Sequence, residues 1–412
     1  MNALRVGMVG SGFIARVHSL AYNSVSRYYW PALPDVLRVR IADVTADLAR
    51  TGAARLGWEG ATSDWREITR SPDVDLVDIV TPNDTHAEIA IDAARHGKDI
   101  FCEKPLAPDV ASARKMYEAV SEAGIVHQVG FAYRRWPAVQ LAKQVTVQGQ
   151  LGRILHFHGL YFHDYGLDPY LPISWRFEAR RAGAGSIGDL GSHVIDIARY
   201  LVGEIVRVLA RSRTFITRRP LGTAESDSSF RRGAGGAMPE PSGLGLVDVD
   251  DATDMLVEFD NGATGVIQTS WMAGGHKNDL GFELFGDRGA VRFSWQHANE
   301  LSFYSTEDPE EVAGCRNIVI GPIHPGAAPF WPVPGLGMGY SDVFLIAIRD
   351  LLEAVAQRRP ASPDFLDGLR ACEVVDAAVR SAASGGWVDV ARSETATTGT
   401  KSRPLGFQGS ST

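Results

Sequence analysis

The chain has 412 residues, of which 45% are hydrophobic and 22% charged, and its formal net charge at pH 7 is -8. Its length favours two domains, and the negative net charge argues against nucleic acid or an anionic membrane surface as a partner. No apolar run approaches the roughly 18 residues of a membrane-spanning helix, and the three widely spaced cysteines predict neither a disulfide framework nor a metal site.

The first residues form the pattern of a strand, a glycine-rich turn and a helix. Residues 4–9 are apolar except for Arg5, and Gly10-Ser11-Gly12-Phe13-Ile14-Ala15 follows them. In this G-x-G-x-x-A motif the first glycine permits the tight turn, the second lets the backbone approach a pyrophosphate, and the small last residue lets helix and strand pack. We therefore expect a dinucleotide to bind at Gly10, Gly12, Phe13 and Ile14. Because the chain starts with a strand and not with the long apolar core of a signal peptide, we also expect a cytoplasmic protein.

An acidic residue ends the second predicted strand, which covers residues 36–42 and is followed by Asp43. A carboxylate at this point accepts hydrogen bonds from the adenosine ribose and repels a 2′-phosphate, which favours NAD over NADP. The other interpretation is an ordinary turn residue at the end of a strand. The gap from Ala15 to Asp43 exceeds the usual gap of about 20 residues, and we attribute the excess to an inserted loop at Tyr28-Tyr29-Trp30-Pro31.

Two further predicted strands also end in polar residues. Residues 74–80 lead into Thr81-Pro82-Asn83, and residues 99–102 lead into Glu103-Lys104-Pro105. Ligands of open α/β sheets bind beyond the carboxyl ends of the strands, so we expect cofactor contacts from Thr81, Pro82, Asn83, His86, Glu103 and Lys104. His86 is equally well explained as an ordinary residue in the first turn of a helix, and Lys104 has the alternative of a surface lysine before a helix.

The predicted elements divide the chain into two domains. Strands alternate with helices at residues 45–56, 84–96 and 109–123 up to a strand at 125–130, which predicts a doubly wound parallel sheet of about six strands. From residue 153 onward the pattern changes to a strand at 153–162, hairpins at 253–271 and 283–293, and amphipathic helices at 342–357 and 364–384. We therefore predict an α/β fold: an N-terminal Rossmann dinucleotide-binding domain over residues 1–132, and a C-terminal α+β domain with a large, mostly antiparallel sheet over residues 133–392.

The remaining segments and the second sheet raise further expectations. Residues 218–247 are rich in Gly, Pro and Ser and predict a long surface excursion, and the polar tail at 393–412 is expected to be disordered. A mostly antiparallel sheet with helices on one face leaves its other face to be covered. We therefore expect a homo-oligomer, a dimer or a tetramer, that forms through this sheet.

One stretch near the middle of the chain combines an acid and a histidine. It runs from Gly185 to Asp196 as a glycine-loosened segment leading into a helix, with Asp189 and His193 four residues apart. That spacing puts both side chains on one helical face, where a histidine beside a carboxylate is suited to proton transfer. Taken alone, the pattern is also typical of an exposed helix with a salt-bridging Asp and a capping His.

Taken together and in this order, the motifs resemble those of the Gfo/Idh/MocA oxidoreductases from about Leu4 to Val390. The resemblance rests on the glycine motif at Gly10, the Glu103-Lys104-Pro105 tripeptide, Trp175-Arg176 and the G-x-x-x-D-x-G-x-H-x-x-D run from Gly185. Further motifs, among them Val-Asp-Val-Asp-Asp from Val247 and Trp-Pro-x-Pro from Trp331, are similar to those of members that act on anhydrosugars such as levoglucosan. The resemblance implies hydride transfer between NAD and a secondary alcohol of a sugar or cyclitol, with Lys104, Asp189 and His193 as the catalytic set.

Elementary chemistry agrees with these implied roles. His193 would take the hydroxyl proton, the Lys104 ammonium would stabilise the developing alkoxide, Asp189 would bind a neighbouring hydroxyl, and no metal is required. We treat Asp196, which belongs to the same pattern, as structural. The expected substrate contacts are Lys104, Tyr133, Arg135, Tyr165, Trp175, Arg176, Asp189 and His193. Weaker candidates are Tyr161, His163, His276 and Asn278, and Phe330 and Trp331 are candidates to cover the site from the same or a neighbouring subunit.

Four functions fit these residues. The first is an NAD-dependent dehydrogenase of a pyranose, anhydrosugar or glycoside. The second is an inositol dehydrogenase. The third is a glycosidase or lyase that oxidises the sugar transiently and re-reduces it with bound NAD. A sugar sensor without catalysis is the fourth, and the presence of Lys104, Asp189 and His193 counts against it.

Overall fold

A computed structural model of the protein describes residues 3–31, 33–221 and 243–392. Within these residues the first sheet has six parallel strands in the order β3-β2-β1-β4-β5-β6. Its strands are β1 Leu4–Val9, β2 Val36–Ala42, β3 Gly60–Thr62, β4 Leu76–Ile79, β5 Asp99–Cys102 and β6 His127–Val129. The helices between them are α1 Phe13–Tyr28, α2 Ala46–Leu56, α3 Arg66–Thr69, α4 Asn83–Arg95 and α5 Val110–Ala123. The predicted doubly wound sheet is therefore confirmed.

The strand order places a ligand crevice beside β1. The chain leaves β1 in one direction toward β2 and β3 and in the other toward β4, β5 and β6, and this reversal opens a crevice at the carboxyl ends. The register brings these ends level, because Val9 lies opposite both Ala42 and Ile79. The segments that follow β1, β2, β4 and β5, where the cofactor contacts were predicted, consequently meet at one edge of the sheet.

The second sheet has nine strands among the described residues, in the order β16-β15-β14-β13-β7-β12-β11-β8-β17. Its neighbours are antiparallel except for β7 and β12, so the prediction of a mostly antiparallel sheet is confirmed. The strands of this part are β7 Ile154–Phe162, β8 Ile205–Arg213, β9 Arg218–Pro220, β10 Leu244–Leu246, β11 Ala252–Phe259, β12 Thr264–Ser270, β13 Asp279–Gly286, β14 Gly289–Ser294, β15 Glu300–Ser305, β16 Arg316–Val319 and β17 Val388–Asp389. Its helices are α6 Pro137–Val147, α7 Ala179–Ala182, α8 Ser192–Leu201, α9 Tyr340–Gln357 and α10 Phe365–Ser384.

One face of the second sheet is covered by helices, and the other is open. Helices α6, α8 and α10 pack against one face. On the opposite face an aligned row runs across three strands, in which Leu256 of β11 lies between Leu209 of β8 and Val266 of β12. Leu256 is 44% exposed and Phe285, on the same face, is 36% exposed.

The two sheets are joined by helices that return to the first one. Helix α9 packs on α1, and α10 packs on α5, so the last helices of the chain belong to both parts. The domain boundary at residue 132 stays a prediction. No helix in the described ranges combines the length and the apolar character needed to cross a bilayer.

Residues 218–247 differ in part from the predicted surface excursion. Their two ends pair as the antiparallel strands β9 and β10. Arg219 is fully buried there, and its guanidinium donates to the carbonyls of Asp168 (2.8 Å) and Gly166 (2.7 Å) while it covers the Phe177 ring. These bonds replace the water that an arginine loses on burial. Residues 222–242 and the predicted disordered tail lie outside the described residues.

Candidate active site

The carboxyl ends of the strands in the first sheet form a cradle around the glycine motif. Gly10 has a φ of 106°, and a Cβ there would lie 2.7 Å from the Val80 carbonyl oxygen, so this position requires glycine. A Cβ on Gly12, by contrast, would meet no atom within 4 Å. Helix α1 starts at Phe13 without a side-chain cap. The positive end of the helix therefore lies beside open space and fits the pyrophosphate of a dinucleotide.

Asp43 is fixed beside this cradle by its neighbours. One carboxylate oxygen accepts the Val44 N–H (2.7 Å), and the other accepts both the Ser11 N–H (3.0 Å) and the Ser11 hydroxyl. Arg55 of α2 donates to the Ser11 carbonyl (2.7 Å) and places a cation in the same corner. No local pattern marks Arg55 in the sequence, because it lies 12 residues beyond Asp43 and reaches back through the fold.

The site is built around a contact between Lys104 and Asp189. The Lys104 Nζ donates to the Asp189 carbonyl (2.7 Å) and to its Oδ1 (2.9 Å). The Tyr165 hydroxyl lies 3.4 Å from Asp189 Oδ2. Burial raises the pKa of Asp189, but the charges of Lys104 and Arg176 outweigh burial and lower it to about 2. The carboxylate is therefore ionised under all working conditions, and it faces two cations.

His193 lies one turn further along the same helix and is 7% exposed. Its ring packs against Tyr133, Tyr161 and Phe131 at centroid distances of 4.8, 5.8 and 5.9 Å. Its Nδ1 is buried and has no hydrogen-bond partner among the described residues. Burial first, and then the charge of Lys104, lower the pKa of His193 well below its usual value, although Asp189 acts in the opposite direction. The ring is therefore neutral near pH 7 and able to accept a proton.

The helix that carries both residues is anchored by Asp250. Residues Ile187–Gly191 form a π-helical turn that continues into α8, which differs from the regular helix expected from the spacing. The Asp250 carboxylate accepts the N–H groups of Gly185 (2.8 Å) and Ile187 (3.0 Å) and the hydroxyls of Ser186 (2.7 Å) and Thr253 (2.9 Å). It thus caps the turn just before Asp189, which gives the Val-Asp-Val-Asp-Asp motif a physical purpose.

A hydroxyl network lies beside His193. The Tyr161 hydroxyl donates to Asn278 Oδ1 (2.6 Å), the Asn278 amide donates to the Tyr133 hydroxyl (3.1 Å), and the two hydroxyls lie 3.0 Å apart. Asn278 has a φ of 54°, a left-handed conformation that non-glycine residues adopt at a cost. Tyr340 and Trp295 complete this wall by contacting the Tyr133 ring. Neither Tyr340 nor Trp295 has a sequence motif that marks it in advance.

Three other predicted pocket residues, His163, Arg176 and His276, each contact a neighbouring side chain or backbone group. The Nδ1 of His163 accepts the N–H groups of Asp164 and Tyr165 and so shapes the turn that presents Tyr165. Arg176 stacks on Trp175 at 4.5 Å and acts electrostatically on Asp189. His276 pairs with Asp279 at 2.7 Å and is half-exposed at its side chain.

Two predicted site residues, His86 and Arg135, have partners within the chain. His86 is fully buried, with its Nε2 2.9 Å from the Thr81 carbonyl and its Nδ1 3.2 Å from the carbonyls of Pro105 and Leu106. Its ring nitrogens face the loop after Lys104 and the Thr81 carbonyl, and the cofactor contact of His86 stays a prediction. The Arg135 guanidinium pairs with Asp350 of α9 (3.0 Å). The 3-10 turn Ala132–Arg135 directs the side chains of Tyr133 and Arg135 to different neighbours, and the substrate contact of Arg135 stays a prediction.

Further predicted residues have structural partners. The Asn83 amide donates to the Ala182 carbonyl (3.0 Å) and ties α4 to α7, while the Thr81 hydroxyl accepts from Thr85 (2.7 Å) and Pro82 precedes α4 as its N-cap. Glu103 is turned inward toward His18 (3.2 Å) and not toward the crevice. Phe330 packs on Tyr28 and Tyr29 at the far end of α1, and does not cover His193 in the same chain.

Asp196 has the structural role that was expected of it. It forms a buried ion pair with Arg134, which also contacts Asp367 of α10 at 3.1 Å. Arg199 joins Asp367 to Glu204. Each buried charge in this network has a counter-charge, as burial requires.

Comparisons with known proteins identify the family. Residues 4–131 match the model of an oxidoreductase family with an NAD-binding Rossmann fold, and residues 139–292 match that of a Gfo/Idh/MocA C-terminal domain. The chain belongs to the Gfo/Idh/MocA family of oxidoreductases. It is accordingly an NAD-dependent oxidoreductase, and NAD is the cofactor expected from the sequence.

Individual relatives narrow the likeness further. Over 392 residues the chain is 44% identical to levoglucosan dehydrogenase of Pseudarthrobacter phenanthrenivorans, with 95% of this chain and 99% of that protein covered. Over 305 residues it is 30% identical to scyllo-inositol 2-dehydrogenase (NAD(+)) of Bacillus subtilis, with 73% and 78% covered. A solved structure of levoglucosan dehydrogenase with NADH and levoglucosan superposes with a TM-score of 0.88 at 42% identity, over 95% of this chain and 100% of that one. The resemblance to members that act on anhydrosugars is thus confirmed.

The capping role of Asp250 leads to a testable prediction. Asp250→Ala removes three hydrogen bonds from the turn before Asp189, so the local free energy of opening should fall by about 2 kcal/mol. Amide hydrogen exchange over residues 185–193 should then be roughly 30-fold faster. The matched control is Asp248→Ala in the same motif, which removes a bond only to the Ala179 N–H (2.6 Å). Unchanged exchange over residues 185–193 in Asp250→Ala would contradict the capping role.

Proposed function

We propose that this protein oxidises a secondary hydroxyl of a pyranose, anhydrosugar or glycoside to a ketone, with NAD as the hydride acceptor. The observation that carries the proposal is the contact of the Lys104 ammonium with Asp189, one helical turn from a neutral, buried His193. A base, a cation and an anion are thus held together at the mouth of a dinucleotide cradle. These are the groups that alcohol oxidation needs around the reacting carbon.

The residues of the crevice fit NAD. Gly12 and the N-terminus of α1 would hold the pyrophosphate, and Asp43 would accept hydrogen bonds from the adenosine ribose. The bound nicotinamide supplies the hydride acceptor. Everything else in the reaction is proton transfer and charge stabilisation, which this chain's own side chains perform.

Each catalytic side chain has one task in this proposal. His193, neutral because it is buried, accepts the proton of the reacting hydroxyl. Lys104 places its ammonium against the oxygen as negative charge develops on it. Asp189, ionised and fixed by Lys104, accepts a hydrogen bond from a neighbouring hydroxyl and thereby orients the sugar ring.

The relatives support an anhydrosugar as the substrate class. The levoglucosan dehydrogenase of Pseudarthrobacter phenanthrenivorans covers nearly the whole chain at 44% identity. A cyclitol is the second candidate, because scyllo-inositol 2-dehydrogenase is 30% identical over 73% of the chain. The aromatic wall of Tyr133, Tyr161 and Trp295 suits the apolar face of either ring.

The first test is turnover. NAD reduction should appear with one member of a panel of anhydrosugars, free sugars, glycosides and inositols. Lys104→Met and His193→Asn should each lower kcat at least ~100-fold, because one removes the oxyanion partner and the other removes the base. Lys115→Met, at an exposed lysine of α5, is the control and should leave kcat unchanged. Product formed without net NADH would favour the transient-oxidation alternative, and binding of sugar and NAD without turnover would favour a sensor.

The second test concerns cofactor choice. Asp43→Ala removes the ribose acceptor and the charge that repels a 2′-phosphate. We expect kcat/KM with NAD to fall roughly tenfold and kcat/KM with NADP to rise, helped by Arg55. Asp47→Ala, an exposed acid in the first turn of α2, is the control. A wild-type enzyme that uses NADP as well as NAD would refute the role given to Asp43.

We also propose that the chain forms a homo-oligomer through the open face of its second sheet. The aligned row of Leu209, Leu256 and Val266 leaves apolar side chains on that face. Light scattering should show a dimer or tetramer, and Leu256→Arg should shift it toward the monomer because a charge would be buried in the interface. Val147→Arg, at an exposed apolar residue of α6, is the control and should leave the mass unchanged. A monomeric wild type would contradict the proposal.

A further inference from the structure

A second group of titratable residues is buried between the first sheet and helix α1, and one of its members precedes Lys104 in the chain. We call it the buried triad: His18 of α1, Asp78 of β4 and Glu103, which follows β5. The His18 Nδ1 lies 2.9 Å from Asp78 Oδ2, and its Nε2 lies 3.2 Å from Glu103 Oε1. His18 and Asp78 are fully buried, and Glu103 is 6% exposed. Charged groups are rarely placed at such depth unless they are paired.

The surroundings hold His18 as a cation. Burial lowers the pKa of its imidazole, but Asp78 and Glu103 together outweigh burial and raise it to about 10. Two neighbouring groups stay uncharged: the Tyr22 hydroxyl and the Cys102 thiol both have a raised pKa, first because they are buried and then because of the nearby carboxylates. The His86 ring beside Glu103 has its pKa lowered by burial.

Packing leaves the His18 ring a single position. Phe101 stacks on one side at 4.9 Å and 14°, and Phe344 of α9 lies at 5.0 Å. The ring is thus clamped between the first sheet and a helix from the end of the chain. Its Nδ1 is hydrogen-bonded to Asp78, whereas its Nε2 lies 3.2 Å from Glu103 Oε1 as an ion pair without hydrogen-bond geometry. The ring thus lies between two carboxylates, an arrangement that favours its doubly protonated form.

The triad is joined directly to the catalytic lysine. Glu103 Oε2 accepts the backbone N–H of Lys104 (3.1 Å), while its Oε1 faces His18. Gly130 closes the third side, since a Cβ there would lie 2.5 Å from Glu103 Oε1. The Glu103 charge also helps to raise the pKa of Tyr133 and Tyr340 in the crevice wall. His18 and Gly130 therefore fix the position of the Glu103 carboxylate, and the carboxylate in turn fixes the Lys104 backbone through its hydrogen bond.

We propose that His18 is a positioning residue: as a cation between Asp78 and Glu103, it fixes the segment from which Lys104 reaches Asp189. This inference rests on the proposed function, because it assigns a purpose to the placement of Lys104. Removing the cation leaves two buried carboxylates without a counter-charge, and one of them is bonded to the Lys104 backbone. The Lys104 ammonium would then shift from its place beside Asp189 but keep its charge.

The kinetic test separates positioning from packing. His18→Gln keeps a donor but removes the charge, so kcat should fall roughly 10- to 100-fold, the loss typical of a misplacement of about 1 Å. The KM for the sugar and the Kd for NADH, measured by fluorescence, should change less than about threefold, because Lys104 remains charged and the cradle is untouched. Tyr22→Phe, one turn along the same buried helix, is the control and should keep kcat within about twofold. An equal loss in both variants would overturn the proposal.

A charge-matched variant tests whether the missing charge is the cause. The triad carries one net negative charge, since His18 offsets one of the two carboxylates. The double variant His18→Gln with Asp78→Asn restores that net charge, and it should recover at least about tenfold of the lost kcat if counter-charge is the purpose of His18. No recovery in a folded double variant would overturn the proposal.

A spectroscopic test needs no turnover. Histidine NMR on the apo protein should show His18 with both ring nitrogens protonated at pH 8, with the signal assigned by its shift in Asp78→Asn. Because the pKa of His18 is raised above that of the unfolded chain, the triad's contribution to stability should be complete below pH 6.5 and lost as the pH rises through about 10. A singly protonated His18 at pH 8 would overturn the proposal. Wild-type protein that turns over no polyol would refute the proposed function alone.

Discussion

The contact between the Lys104 ammonium and Asp189 is the constraint on which the site depends. Lys104 follows a strand of the first sheet, and Asp189 lies in the turn before a helix that packs on the second. Because Nζ donates to a backbone carbonyl as well as to the carboxylate, the ammonium is fixed by direction and not by charge alone. The two halves of the site therefore exist as one only while the two sheets are docked.

Several contacts between the two parts maintain that docking. The Asn83 amide bonds to the Ala182 carbonyl, Arg181 pairs with Asp84 at 3.2 Å, and the Val129 N–H donates to the Pro363 carbonyl at 3.0 Å. Helix α9 packs along α1. These contacts hold the two walls of the crevice at a constant separation, which orienting a substrate requires.

Sequence patterns predicted those parts of the fold that are stabilised by residues close together in the chain. The strand, glycine turn and helix around Gly10 involve neighbours in the chain, and the hairpin at Asp260 likewise, so their residue types disclose them. Asp189 and His193 were recognisable by spacing, but only the resemblance distinguished them from an exposed salt bridge.

Residues whose partners are distant in the chain could not be found in this way. Tyr340 enters the wall from the first turn of α9, and Trp295 enters it from the turn after β14. The partner of Arg135 was hidden for the same reason: Arg135 is adjacent to Tyr133 along the chain, while in the fold it pairs with Asp350 of a helix near the far end. Whether a charged residue belongs to an internal ion pair or to a functional site depends on its burial. Burial is likewise a property of the assembled fold.

The single parallel pairing among the described strands of the second sheet has a consequence for how such enzymes diversify. Parallel neighbours need a crossover that leaves the sheet and returns on one face. The chain between β7 and β12 makes this detour, and it carries both Asp189 and His193. Extra length in a connection costs little, since doubling a loop adds only about 0.6 kcal/mol. The stretch between β7 and β8, which carries Asp189 and His193, can therefore lengthen and reshape the pocket while the sheet register that positions the helix stays the same.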